Sequence, residues 1–261
     1  MKRLLPLLLA AVFLLAGCGE SHGELPSDVE YPTFGGYAQQ WVYRAPTATE
    51  YLYTADLPSD FVPLLNLHWN YPTPFVWHDR PPTEAVKQVC AYFQEEGLLV
   101  DKEAWLKTAQ ADYADAQTTE REFFDYTIMQ DTYCSYETER FWAFQTDVNL
   151  PAHYPHDNNG DIFAKGYLFD KATGEAMELW DLFTVPAEEA IQRLTAFENS
   201  PAQREAMRRA FDPACVSLWP DTFHITYPPG TVMETAFIFT AAYADLQDIL
   251  QPWVLSGTAG T

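Results

Sequence analysis

Apolar residues recur at helical spacing in two adjacent stretches. Ala85, Val86, Val89, Cys90 and Phe93 fall on one face of a helix that begins after Pro81-Pro82, with Thr83 as its N-cap and Gly97 as its stop. Asp101 caps a second helix. Its buried face is marked by Trp105, Leu106, Ala109 and Tyr113, and it fades near Thr118. The pattern then changes to aromatic and β-branched runs. Phe123–Asp131 and Arg140–Leu150 predict an antiparallel strand pair joined at Tyr136–Glu139. A polar loop, Pro151–Asp161, leads to a hairpin over Ile162–Phe183. That hairpin turns tightly at Lys171-Ala-Thr173-Gly174, where Gly174 supplies the positive φ, continues as a short second strand, and is anchored by Leu179, Leu182 and Phe183.

Further on, Pro186–Phe197 predicts a helix capped by Thr184, with Ala190, Ile191, Leu194 and Phe197 inside. Pro201–Phe211 predicts another, with Met207 and Ala210 inside. Val216–Trp219, Phe223–Tyr227 and Thr235–Thr240 read as strands, with Pro228-Pro229-Gly230 turning the chain between the last two. Asp245–Leu250 reads as a short helix. Ahead of the first helix, Phe61–Trp77 is apolar but broken by Pro63, Pro72 and Pro74, so irregular structure or a short edge strand is expected. No repeat or low-complexity tract occurs. Hairpin-linked strands mixed with helices predict an α+β fold: antiparallel sheet or sheets with helices packed on one face. The expected organisation is a signal peptide over 1–17, a tether and aromatic segment over 18–60, an N-terminal α+β subdomain over 61–150, a C-terminal domain over 151–255 and a tail over 256–261.

The first residues change the picture. Lys2 and Arg3 precede an apolar run, Leu4–Leu15, too short to span a bilayer as a helix. It ends in Leu15-Ala16-Gly17-Cys18, which looks like a bacterial lipobox. Cleavage before Cys18 and lipidation of its thiol would place the protein on the extracytoplasmic face of the cell membrane. About 240 residues remain, enough for one large domain or two small ones. Trp, Tyr and Phe number 8, 15 and 17, ample for a sizeable core. Within the segment from Gly19 to Asp60, Trp41, Tyr43, Tyr51 and Tyr53 could stack on sugar rings, but packing on the body is the expected use. The net charge of −22 is unfavourable for anionic lipid and nucleic acid and favours cationic partners, besides its plain role in solubility.

Chemistry-bearing residues are sparse. After Cys18, the cysteines Cys90, Cys134 and Cys215 are odd in number, so either one disulfide and a free thiol or three buried thiols result. Cys90 and Cys134 would be the pair if a bridge forms; buried free thiols are the expectation. No Cys-x-x-Cys, Gly-x-Ser-x-Gly or phosphate-binding glycine loop occurs. A Cys134–His224 nucleophile arrangement is open on paper, against the far commoner buried cysteine. His153, His156, Asp157 and Asp161 crowd into one loop with Tyr154. These are good ligand types, yet their spacing matches no established metal site, and a solvated turn is the simpler reading. No cofactor and no resident metal is expected.

Several stretches in the second half resemble a known family. Tyr167-Leu-Phe-Asp-Lys-Ala-Thr173-Gly174 is similar to a strand and Thr-Gly turn, and Met177-Glu-Leu-Trp-Asp-Leu-Phe183 to the apolar–acidic–Leu-Phe segment that follows it. Asp221–Tyr227 and Ala241–Leu250 resemble a late strand and a closing tyrosine and short helix. The family is that of RsiV-like C-terminal domains, a domain of unknown function. It closes the extracellular part of a lysozyme-sensing anti-sigma factor and is attached to some peptidoglycan deacetylases. The resemblance covers roughly residues 120–255. In place of the family's glycine-rich segment before the hairpin stands Leu150-Pro-Ala-His153-Tyr-Pro-His156. No sigma-binding segment, membrane-spanning helix or deacetylase domain accompanies it, so neither direct sigma-factor control nor deacetylation is expected. The resemblance implies a non-catalytic surface module that binds cell-wall material or a cationic wall-degrading protein such as lysozyme. The surface would be the Leu150–Phe163 loop, with His153, Tyr154, His156, Asp157 and Asp161. The alternatives are a metal-assisted envelope hydrolase using that same loop, or a purely structural envelope protein.

Overall fold

Alternation in the strand-forming runs builds two sheets. A computed structural model describes residues 37–44, 51–53, 62–72, 82–151 and 162–255, with backbone alone for 37–44, 51–53, 62, 63 and 162. Cys18, His153, Tyr154, His156, Asp157 and Asp161 lie outside the described residues. The larger sheet has the order β2-β1-β3-β4-β5-β6, from β1 (Tyr37–Arg44), β2 (Tyr51–Tyr53), β3 (Val62–Asn70), β4 (Tyr126–Glu137), β5 (Phe141–Asn149) and β6 (Ile162–Asp170). Every pairing is antiparallel except β3–β4. That parallel pair requires a long crossover. The crossover holds the helices α1 (Glu84–Glu96) and α2 (Lys102–Thr119). The smaller sheet, β7-β8-β9, comprises β7 (Val216–Leu218), β8 (Thr222–Tyr227) and β9 (Phe237–Ala242). The short helices α3 (Ala187–Leu194) and α4 (Pro201–Arg209) precede it. The fold is α+β, as its sequence pattern predicts.

The strand period of two distributes the core. From β5, Trp142 and Phe144 pack with Val86, Val89, Cys90 and Phe93 of α1. The alternate residues Phe141 and Ala143 join Leu168, the apolar side of the small sheet, and Ala190, Leu194 and Met207 of the short helices. A third cluster sets Leu65 and Leu67 of β3 and Ile128 of β4 against Leu106 and Ala109 of α2. The caps read from the sequence hold. Thr83 Oγ1 accepts from the Val86 amide at 3.2 Å, Asp101 Oδ1 from Ala104 at 3.0 Å, and Gly97 ends α1 with φ +64°. The expected boundary at 150/151 falls between β5 and β6, which pair over nine residues of one sheet.

Several expectations are corrected. Val62–Asn70 is no edge strand: it lies between β1 and β4. Pro63 stands opposite Tyr43, beside the bulge at Leu64 where the β1–β3 register shifts, and pairing with β4 begins only at Leu65. Within the aromatic segment expected to pack on the body, β1 and β2 are strands of the sheet. β4 continues past Asp131 to Glu137, with a bulge between Cys134 and Tyr136. The buried polar residues along it are bonded: the Gln130 amide bridges the Leu99 N–H and the Gly97 carbonyl at 2.9 Å each, and Thr132 meets Thr146 at 2.8 Å. After Gly174 only a single bridge, Phe169–Ala176, forms before a 3-10 turn at Leu179–Leu182. Thr184 does not cap α3; its hydroxyl donates to the Ile249 carbonyl at 3.0 Å, and Pro186 takes the cap position. α3 stops at Leu194, leaving Phe197 exposed. Asp245–Leu250 is not a helix but follows a 3-10 turn at Tyr243–Asp245.

Candidate functional site

β4 shows which face of the large sheet remains open. Tyr126, Ile128, Gln130 and Thr132 are buried, whereas Thr127 and Met129 are exposed and Asp131 and Tyr133 are half-buried. β5 continues that open face. Asn149 stands opposite Met129, Asp147 opposite Asp131, and Gln145 opposite Tyr133. On the parallel neighbour β3, His68 is in register with Met129, and the Asn70 amide donates to Asp131 at 3.3 Å.

The small sheet closes one side of this face. β7 comes so near β6 that a Cβ at Gly166 would stand 1.8 Å from the Val216 carbonyl oxygen. Trp219, just past β7, is thereby set against the large sheet. Its indole N–H donates to Gln145 Oε1 at 3.0 Å, and Gln145 Nε2 donates to Asp147 Oδ1 at 2.6 Å. The Tyr133 hydroxyl donates to Asp147 Oδ2 at 2.7 Å. The Trp219 ring stacks on His224, with 5.2 Å between centroids, and meets Tyr133 edge-on at 6.2 Å.

The electrostatics follow from burial and from the two carboxylates. Burial, the hydrogen bond to Asp147 and the charges of Asp147 and Asp131 all raise the Tyr133 pKa, so the phenol stays a donor at neutral pH. Burial lowers the His224 pKa below its ordinary value, so the ring is uncharged there. Asp131 and Asp147 thus face each other across the strands, and among the described residues neither has an ion-pair partner. Like charges directly opposite on one sheet face are destabilising. The arrangement suits a cationic or hydrogen-bond-donating group above the sheet.

The other candidates are spent on structure. All three described cysteines are free thiols. Burial pushes the Cys90 and Cys215 thiols up to about 11 and Cys134 up to about 12, and the Cys134 thiol donates to the Tyr136 carbonyl at 3.6 Å. A nucleophilic Cys134 is therefore not supported, since its thiolate is suppressed. His224 is engaged with Trp219 instead. We expect a thiol reagent at pH 8 to label these cysteines slowly in the folded protein and quickly in denaturant. Each raised unit of pKa removes about tenfold of thiolate; equal native and denatured rates would contradict this burial.

A cavity of about 260 Å³ also opens beside β6, between Tyr92, Lys165, Tyr167, Met177, Glu178 and Pro213. Its lysine is already paired with Glu96. Thr173 and Gly174 form the turn they were expected to form, with Gly174 at φ +78°. Among the described residues no group of His, Cys, Asp and Glu is placed to hold a metal ion. Nor is any described helix long and apolar enough to cross a membrane. Sequence reading missed Asp131, Tyr133, Gln145, Asp147 and Trp219. Alternation was the available signal for the β4 and β5 members; nothing local places Trp219 beside them.

Comparison with known proteins adds the fold. No family model matches the sequence, and no curated protein matches it. A solved DUF3298 family member from Bacteroides fragilis superposes with a TM-score of 0.50 at 12% identity, over 88% of this chain and 100% of that one. A DUF3298 family protein from Pseudomonas aeruginosa gives a TM-score of 0.43 at 10% identity, over 85% of this chain and 96% of that one. At 12% identity the first likeness is one of fold, and this α+β chain is similar in fold to a solved DUF3298 protein.

Proposed function

We propose that this protein is a lipid-anchored binding module on the extracytoplasmic face of a bacterial membrane, and that it recognises a cationic wall-degrading protein of the lysozyme kind. The observation that carries the reading is the open sheet face, where Asp131 and Asp147 stand opposed without a cation among the described residues. Met129, 42% exposed, and the half-buried Tyr133 and Trp219 supply apolar and aromatic area beside them. Recognition surfaces combine such anchors with charges that steer encounter. The acidity of the whole chain favours the same partner. The proposal also takes in Tyr154 and Asp157, which the sequence alone nominates.

A lysozyme titration tests the reading. Saturable binding that survives about 0.15 M salt is expected, since surface charge alone is largely screened there. Asp131→Asn should weaken binding by about tenfold while raising the stability of the free protein by up to about 1 kcal/mol, because the opposed carboxylates are relieved. Alanine at Tyr154 or Asp157 should weaken binding as well. Binding that any basic protein of similar charge reproduces would reduce the proposal to bulk attraction.

Anchoring has its own test. Cys18→Ser should release the protein from the membrane fraction or leave it as unprocessed precursor. Normal maturation and unchanged detergent partitioning of that variant would contradict the lipid anchor.

A further inference from the structure

The cavity beside β6 shares no residue with the open face. β6 is the outer strand of the large sheet, and the chain after its turn follows that edge only briefly. The Met177 N–H donates to the Leu168 carbonyl at 2.9 Å, and the chain then leaves at the Leu179–Leu182 turn. The Leu168 N–H points to the same side as its carbonyl, and among the described residues nothing accepts from it. The cavity of about 260 Å³ lies along this edge. Met177, Leu179 and Pro213 give it apolar wall, and Tyr92, Lys165 and Glu178 give it polar groups. Tyr92, on α1, is 38% exposed yet firmly held. Its ring meets Phe93, Tyr167 and Phe169 at steep angles, with centroids 5.6, 6.0 and 5.1 Å away, and all three of those rings are buried. It is a fixed aromatic platform, so little side-chain entropy is lost when a ligand covers it.

Size and wall chemistry select the occupant. A cavity of about 150 Å³ takes a benzene ring, and drug-sized ligands need about 300 Å³ or more, so this one suits a single ring with its substituents. Lys165 is already paired with Glu96, so an anion would meet Glu178 without gaining an unpaired cation. A cation would share the space with the Lys165 ammonium. A wholly apolar molecule would cover Lys165, Glu178 and the Leu168 N–H without replacing the hydrogen bonds they make to water. A neutral ring with an apolar face and hydroxyls around its rim meets each of these groups. We propose that the cavity binds one pyranose ring of a saccharide, with its C–H face against Tyr92 and its hydroxyls on Lys165, Glu178 and the Leu168 N–H. Lysine and the amide donate to such hydroxyls, and the carboxylate accepts from them.

Ligand-observed NMR titration of the full chain, in a detergent without sugar headgroups, tests this with N-acetylglucosamine, methyl glucoside, phenol and inorganic phosphate. At least one sugar should bind saturably, with a Kd of about 1 to 10 mM, and nearly equally at low and high salt because the ligand is neutral. Phenol and phosphate should bind at least about tenfold more weakly. Tyr92→Ala should weaken sugar binding by at least about fivefold, and Tyr92→Phe, which keeps the ring, by less than about twofold. Ala214→Phe, which fills the cavity from the Pro213–Cys215 turn, should abolish it. Matching thermal melts show that the variants are folded. Tighter binding of phenol or phosphate, no saturation by either sugar below about 50 mM, or sugar binding that Tyr92→Ala leaves unchanged would each overturn the proposal. No lysozyme enters this titration, so the proposal and the reading of the Asp131–Asp147 face can fail separately.

Discussion

Replacing Gly166 by alanine should destabilise the protein by about 3 kcal/mol or more, although it adds a single methyl group. The backbone there needs no special φ; what it needs is space. The added Cβ would lie 1.8 Å from the Val216 carbonyl oxygen, 2.6 Å from its carbon and 3.0 Å from Ser217 Cα. All three are backbone atoms, so no side-chain rotation relieves the clash, and β7 must move off β6. β7 carries Val216 and Leu218 into the core and leads to Trp219. The displacement therefore opens the core and breaks the Trp219–Gln145 hydrogen bond together. For a chain of this size the melting temperature should fall by about 6 °C or more. A shifted Trp219 environment should report the local cause. A melting temperature unchanged within error, with Trp219 unperturbed, would refute the close approach of the two sheets.

Gly174→Val should cost a comparable amount for a different reason. Gly174 closes the turn after β6, and its amide donates to the Asp170 carbonyl at 2.7 Å. Asp170 Oδ1 holds the turn from within by accepting from the Ala172 and Thr173 amides at 2.8 and 3.1 Å. At φ +78° a β-branched residue is strained by more than about 1 kcal/mol. A Cβ would also stand 2.4 Å from the Ala85 carbonyl oxygen and 2.8 Å from Ala85 Cα, in the first turn of α1. Strain and steric clash together should exceed about 3 kcal/mol. Gly230 separates the two contributions, because it has the same φ of +78° but nothing within 4 Å of its Cβ position. Gly230→Ala should therefore lose only about 1 kcal/mol, and Gly174→Ala clearly more. Equal losses at the two glycines would show that the contact with α1 contributes nothing.

These glycines also mark where local sequence stops being informative. The Thr173-Gly174 step reads as a turn from its neighbours alone, because the demand for positive φ is local. The second role of Gly174, against Ala85, joins residues far apart in the chain and leaves no local trace. Gly166 gives no signal at all in an alternating strand, since its cause is β7. The caps Thr83 and Asp101 and the apolar faces of α1 and α2 were legible for the converse reason. The caps bond within one turn of the same helix, and an apolar face is written in the helical spacing of its own residues, whatever it packs against. The α+β class followed from the change of period between those helices and the β4–β5 hairpin.

What the sequence could not decide was pairing and exposure. The prolines near β3 pointed to an edge, yet β1 and β4 flank the strand, and Pro63 lies ahead of the stretch that pairs with β4. The expected strand stopped at Asp131, whereas β4 runs on to Glu137, with Gln130 and Thr132 buried on partners from distant segments. The open face has the same origin. Asp131 and Asp147 are sixteen positions apart and unremarkable singly; antiparallel register makes them opposed, and the docking of β7 at Gly166 brings Trp219 beside them. By itself the sequence determined the four described α-helices, the turn at Gly174, the fold class and the acidity. Only tertiary structure decided which polar residues share a surface, because that depends on contacts between distant segments that no local periodicity records.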